Sequence, residues 1–273
     1  MGIFKNYLLV SDIDGTLLDN GVIPQRNIEA IDYFIKESGK FSIASGRSIE
    51  AVRPIYKNSH SNAPCVVFNG AVVFDYNLDK IVCEIELDDQ DKSLLAPIMN
   101  RFPTVGVEVH SGRKLYVIRR TKEVDDHIEY ESIASEDMSL EDVMSLTWTK
   151  SIIMTEDGEI MKQLMEFCDT LSPKSAYFLP TSNIYLELTS SNANKAKGIA
   201  HLKDYLGKGY TVCAIGDYYN DIEMLKYADI GCSTADSPQA VKDVSDYEAC
   251  KCSEGAVADF IEYLAEKIHK DLA

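Results

Sequence analysis

The chain has 273 residues, enough for one large domain or two modest ones with a substantial core. Its formal net charge is −17 and no basic cluster appears, which excludes a nucleic-acid binder, since such a protein needs a positive face against phosphate. No run approaches the ~18 apolar residues of a membrane span, and residues 1–6 lack a secretory pattern, so a cytoplasmic protein with no membrane partner is expected.

In chain order, the apolar run 7–10 predicts a buried parallel strand. Ile28, Ile31, Phe34 and Ile35 recur at helical spacing, and Gly39 is a plausible stop. Residues 41–44 predict a second strand, and 49–56 a short helix interrupted by Pro54. A third strand, 65–68, closes at Asn69-Gly70, and 72–75 continues it as a hairpin. From about 86 to 188 the character changes. Runs 114–118, 150–154 and 184–188 predict strands, with helical patterns over 94–101 and 158–171. The alternating rhythm then returns: helix 195–206 ending at Gly207, strand 210–215, helix 221–227, strand 229–232, helix 238–244 and an amphipathic helix 257–268.

Strand-rich sequence between two alternating segments predicts an α/β protein. Segments 1–85 and 189–273 would join into a doubly wound, Rossmann-like parallel-sheet core. Segment 86–188 would form an inserted α/β domain with an antiparallel sheet. The seven cysteines are odd in number and irregularly spaced, which reads as buried free thiols. Cys250 and Cys252 form a close pair without the second ligand pair that zinc requires.

Four groups of reactive residues fall at strand or helix ends. Asp12 and Asp14 follow the first strand, and strand alternation points both the same way before Gly15 turns the chain. Asp217 and Asp221 follow strand 210–215, and hard oxygen ligands from two strand ends can converge on one Mg²⁺. Ser45-Gly46-Arg47 follows the second strand and offers a hydroxyl, an amide and a helix N-terminus to an anion. Lys195 opens a helix and would be the cation that so acidic a protein needs at a phosphate. Each group has a bland alternative: an acidic turn, a helix cap, a Ser-Gly turn, a solvated lysine.

Taken together in chain order, the four groups resemble the motifs of the haloacid dehalogenase superfamily of phosphatases. Residues 12–18 match its first motif, Ser45-Gly46-Arg47 the second, Lys195 the third and residues 216–225 the fourth. Asn69-Gly70-Ala71 and the long insertion narrow the resemblance to the Cof-type subgroup, which carries a type IIB α/β cap. Three positions depart from the pattern. Lys195 is followed by Ala196 rather than glycine, with Lys197-Gly198 two residues on, so Lys197 stays an alternative. Thr234-Ala235-Asp236 replaces the usual Gly-Asn-Ala, and the stretch around Ser253 lacks the usual asparagine.

The resemblance implies a Mg²⁺-dependent phosphatase for a small phosphorylated metabolite, acting through an aspartyl-phosphate. A sugar phosphate is the class-level expectation, with pyridoxal phosphate and flavin mononucleotide as other candidates. Asp12 would be the nucleophile and Asp14 the proton donor and acceptor. Mg²⁺ would be held by Asp12, the Asp14 carbonyl and Asp217, with Asp221 in support. The Ile13 and Gly46 amides, Ser45, Asn220 and Lys195 would hold the phosphate oxygens. Two rivals share these residues: a phosphomutase-type transferase, and a phospho-ligand sensor without turnover. The expected partner is a small phosphate ester, and the expected state a monomer or small homo-oligomer. His110, Arg113, Lys114 and Tyr116 are candidate substrate-facing residues of the insertion, read as ordinary surface positions.

Overall fold

The computed structural model describes residues 2–207 and 209–272. Five short apolar strands form a parallel sheet in the order Tyr247–Ala249, Ile230–Thr234, Thr211–Gly216, Tyr7–Ser11, Lys40–Ile43. Leu8, Val10, Val212 and Ala214 bury one face against Ile199, Leu202, Met224 and Leu225 of the helices Lys195–Leu206 and Ile222–Tyr227. The helices Gln25–Lys36 and Ala256–Leu272 pack on each other and against the outer strands Lys40–Ile43 and Tyr247–Ala249 respectively. This is the doubly wound α/β arrangement. Strands Tyr7–Ser11 and Thr211–Gly216 lie side by side, with Ser11 opposite Ile215. The chain leaves them toward opposite sides of the sheet. Their carboxyl ends therefore flank the switch point at which open α/β sheets bind ligands.

The third strand, Cys65–Val67, meets this sheet through a single bridge, Ala44 with Val66. It turns instead into an antiparallel pairing with Val72–Asp75. The predicted two-residue turn between them is a tight 3-10 turn, Phe68–Gly70. The helix Ile49–Asn58 runs through Pro54 rather than stopping there. Burial of Val52, Ile55 and Tyr56 outweighs the ~3 kcal/mol that an interior proline costs a helix.

By its internal contacts the chain forms two compact units. One comprises Met1–Arg47, Val52–Cys83 and Asn194–Ala273; the other comprises Ser48–Ala51 and Glu84–Ala193. The second unit holds a six-stranded sheet that includes Gly106–Ser111, Lys114–Arg119, Lys150–Met154 and Tyr185–Ser190. Val107, Val109, Tyr116, Ile153, Leu186 and Leu188 bury one face of it in a core centred on Trp148. The opposite face carries Glu108 and Lys150, both buried. Helix Lys122–Glu131 packs on the strand Gly106–Ser111. It brings His127 Nδ1 to 2.8 Å from Glu108 Oε1, while His110 Nε2 lies 3.4 Å from the same oxygen. Burial alone would raise the Glu108 carboxyl; the two imidazoles overcome it and hold the group at about 2.

Two of the expected surface positions are therefore corrected. His110 and Tyr116 are buried, the first beside Glu108 of its own strand and the second in the apolar core. Arg113 and Lys114 keep exposed side chains, paired with Glu50 and Glu136. All seven cysteines are free; five are buried, and Cys83 and Cys250 are half-buried. Among the described residues no helix is long and apolar enough to cross a membrane.

Candidate active site

Asp12 leaves the first strand with its amide bonded to the Ile215 carbonyl at 2.9 Å, which pins it beside the neighbouring strand end. Ile13 is fully buried, and its carbonyl accepts from the Leu17 and Leu18 amides at 2.9 and 2.7 Å. That closes a turn in which Gly15 takes φ 83°. A Cβ on Gly15 would lie 2.5 Å from Asp217 Oδ2, so only glycine lets the two loops approach. Asn194 caps the helix Lys195–Leu206 by accepting from the Lys197 amide at 2.8 Å. This sends the first-turn Lys195 inward. Its Nζ lies 2.6 Å from Asp12 Oδ1 and 2.6 Å from Asp221 Oδ1, and the side chain is 1% exposed. Lys197 is exposed, so of the two lysines it is Lys195 that meets the carboxylates.

Asp12, Asp217 and Asp221 each offer an oxygen within 4.8 Å of the others. Thr16 Oγ1 donates to Asp217 Oδ1 at 2.9 Å. Asp221 is fully buried and its oxygens are engaged: Oδ1 by Lys195, Oδ2 by the Asp217 and Tyr218 amides at 3.0 Å each. Asp221 thus anchors the loop and the lysine, leaving Asp12 and Asp217 as the members with coordinating capacity. Burial pushes the Asp12 carboxyl up to about 8; Lys195 pulls the other way, but Asp221 and Asp217 add to the rise. Burial, helped by Asp221, likewise raises Asp217 to about 6 against the hydrogen bond from Thr16. Lys195 stays above its ordinary value because two carboxylates outweigh its burial. Three carboxylates around one ammonium leave the site short of positive charge. An all-oxygen donor set of this kind suits a hard divalent cation such as Mg²⁺.

The Asp14 carboxylate lies outside that group. Arg47 grips it in a two-pronged ion pair, Nε to Oδ2 at 2.9 Å and Nη2 to Oδ1 at 2.7 Å. The sequence marks Arg47 only as part of the Ser45-Gly46-Arg47 motif, because pairing across 33 residues leaves no local spacing signal. Ser45 is buried, with its hydroxyl accepting from the Arg47 amide at 3.2 Å. Asn220 is exposed and donates through Nδ2 to Asn69 Oδ1 at 3.2 Å. Asp236 and Lys251, from the two departing stretches, form an exposed pair at 3.6 Å. Cys252 Sγ faces the Thr16 carbonyl at 3.3 Å, so this thiol supports the site's backbone rather than a zinc ion.

A family model described as haloacid dehalogenase-like hydrolase matches residues 9–261. A putative phosphatase of Haemophilus influenzae is 23% identical over 256 residues, covering 92% of this chain and 95% of the relative. A 5-amino-6-(5-phospho-D-ribitylamino)uracil phosphatase of Bacillus subtilis is 23% identical over 258 residues, with 94% of each chain covered. A haloacid dehalogenase-like hydrolase from Bacteroides thetaiotaomicron shares the fold with a TM-score of 0.83 at 23% identity, over 95% of this chain and 100% of the other. A subclass IIB sugar phosphatase does so with a TM-score of 0.78 at 19% identity, over 95% and 99%.

Proposed function

The chain belongs to the haloacid dehalogenase-like hydrolases, and on that footing we propose that it is a Mg²⁺-dependent phosphatase working through an aspartyl-phosphate. The observation that carries this reading is the buried Lys195 ammonium, 2.6 Å from both Asp12 and Asp221 beside Asp217. Asp12 and Asp217, with the Asp14 carbonyl, would hold Mg²⁺, which supplies positive charge against the repulsion between a carboxylate and a phosphate dianion.

An Asp12 oxygen attacks phosphorus in line, and the ester P–O bond breaks. Asp14, protonated, gives its proton to the leaving alkoxide. As a carboxylate it then takes a proton from water, which attacks phosphorus and breaks the Asp12–phosphorus bond. Arg47 pairs with Asp14 in its carboxylate form, the form the second half needs. The first half requires Asp14 to leave that pairing and take up a proton. Lys195 keeps Asp12 oriented and supplies a fixed positive charge next to the transferring group. Ser45, the Ile13 and Gly46 amides and Asn220 hold the remaining oxygens.

The substrate is a small phosphate ester, and a sugar phosphate is the class-level reading. A ring-bearing phosphate ester is a second candidate. Tyr218 and Tyr219 directly follow Asp217, are 57% and 55% exposed, and meet edge to face with centroids 4.9 Å apart. Exposed aromatic rings beside a phosphate centre suit a leaving group with a planar ring. We read the insertion 86–188 as the cap that selects the leaving group, and the chain as a cytoplasmic monomer or small homo-oligomer.

The test is phosphate release from a panel of sugar, polyol and ring-bearing phosphate esters, with Mg²⁺ and with EDTA. Release that requires both Mg²⁺ and Asp12 supports the reading. An Asp12→Asn variant with substantial Mg²⁺-dependent release would overturn it. Isomerised product without free phosphate would instead support a phosphomutase, and binding without turnover a sensor.

A further inference from the structure

The turn Phe68–Gly70 carries three successive left-handed residues: Phe68 at φ 51°, Asn69 at φ 52° and Gly70 at φ 98°. Left-handed backbone is uncommon in a non-glycine residue and least favourable for a bulky one such as Phe68. Such strain persists only where the surroundings over-determine it. Here they do. The Phe68 and Asn69 amides donate to the Arg47 and Ser45 carbonyls at 3.0 and 2.9 Å, so the turn is stitched to the loop that presents Ser45 and Gly46. A Cβ on Gly46 would sit 3.0 Å from Asn69 Nδ2, so the Asn69 amide lies against that glycine. A Cβ on Gly70 would lie 1.9 Å from the Asn194 carbonyl oxygen and 2.9 Å from the Lys195 amide nitrogen, so the turn also abuts the helix start that aims Lys195. Finally, Asn69 Oδ1 accepts from Asn220 Nδ2 at 3.2 Å. One strained turn therefore touches three of the four chain segments that present the phosphate-facing groups, all but the loop of Ile13.

We propose that Asn69 is a positioning residue for the transferring phosphoryl group, acting through Asn220 and the Gly46 loop rather than by touching the reacting atoms. This rests on the phosphatase reading above. Asparagine suits the post because it tolerates left-handed backbone and still carries an amide. Its Oδ1 fixes the rotamer of Asn220, whose side chain is otherwise exposed and free to sample other directions. Its Nδ2 packs against Gly46, whose amide faces the phosphate in the proposed reaction.

The informative variant is Asn69→Gly, because glycine accepts the left-handed backbone while removing the amide. Wild type, Asn69→Gly, Asn220→Ala, the double variant and Asp12→Asn are compared with one aryl phosphate ester in saturating Mg²⁺. Asn69→Gly is expected to keep its thermal midpoint and its Mg²⁺ half-saturation, and to lose roughly 10- to 100-fold in kcat/KM, the usual effect of removing a group that orients a ligand-holding side chain. The double variant is expected to lose clearly less than the product of the two single losses, because the two residues share one hydrogen bond. Wild-type kcat/KM in Asn69→Gly, or losses that multiply in full in the double variant, overturns the proposal while leaving the phosphatase intact. Undiminished turnover in Asp12→Asn overturns the underlying reading instead.

Discussion

Lys195→Met places the site's charge balance under direct test. The side chain keeps much of its length and apolar stem but loses the ammonium that sits 2.6 Å from each of two buried carboxylates. At that distance and an effective dielectric of ~20, attraction to an ionised carboxylate is about 6 kcal/mol before desolvation is subtracted. Desolvation of the ammonium and its partners offsets most of this, and removing one partner of a buried ion pair typically costs about 3–5 kcal/mol. Asp221 is fully buried and would retain only its two amide donors, so the loss should fall in that range at neutral pH without Mg²⁺. Asp12 adds a pH dependence of known sign. Burial already pushes its carboxyl from 3.8 to about 8 while Lys195 pulls it down, so removing Lys195 lets it rise further. An acid whose pKa is higher in the folded protein is penalised as pH rises, and the variant differs from wild type in this respect only above the wild-type value. The stability gap should therefore widen as pH rises through about 8. Urea unfolding followed by circular dichroism in EDTA, at pH 7 and pH 9, reads both quantities. A variant within about 1 kcal/mol of wild type at pH 7, or a gap that narrows toward pH 9, would refute the reasoning.

Other perturbations have equally definite outcomes. The Glu108 carboxyl is held at about 2 in the folded chain against an ordinary 4.5, so it contributes up to about 3 kcal/mol above pH 4.5, lost as pH falls through 2. Glu108→Gln should lower stability by that order at neutral pH, with the gap to wild type closing on acidification; the single tryptophan, Trp148, is buried in the same unit and reports its unfolding by fluorescence. Gly70→Ala drives a methyl into the Asn194 carbonyl from a left-handed backbone, and should cost well over about 1 kcal/mol by thermal unfolding and reduce turnover as well. Asp14→Asn should lose about 10²–10⁴-fold with an alkyl phosphate, whose leaving group needs a proton, and less in the first step with a nitrophenyl ester, whose leaving group does not.

How much of this was legible in the sequence depended on whether the signal was local. The parallel core was, because Leu8, Leu9 and Val10 or Val212, Cys213 and Ala214 are continuous apolar runs buried on both faces. Asp12 and Asp217 were legible because each follows such a run at a strand end. The insertion was harder. Gly106–Ser111 alternates valine with Glu108 and His110, and its polar side is buried only because helix Lys122–Glu131 supplies His127. That helix is itself rich in acidic residues and has a narrow apolar stripe. Pro54 misled because propensity yields to burial. The Arg47–Asp14 and Asn69–Asn220 contacts span 33 and 151 residues, and no spacing rule reaches that far. A local cue to Asn69 did exist, since Asn-Gly marks left-handed backbone, but it reads equally well as an ordinary hairpin turn.

The central claim is that Asp12 bonds to phosphorus, and the most direct measurement is to trap that bond. Asp14→Asn, mixed rapidly with nitrophenyl phosphate and Mg²⁺ and quenched in acid, bypasses the need for a proton on the leaving group while slowing water attack. Peptide mass spectrometry should then find a phosphoryl adduct on Asp12 that accumulates within the first turnover and is absent from Asp12→Asn. Full-rate nitrophenol release with no adduct at Asp12, or an adduct on another residue, would contradict it.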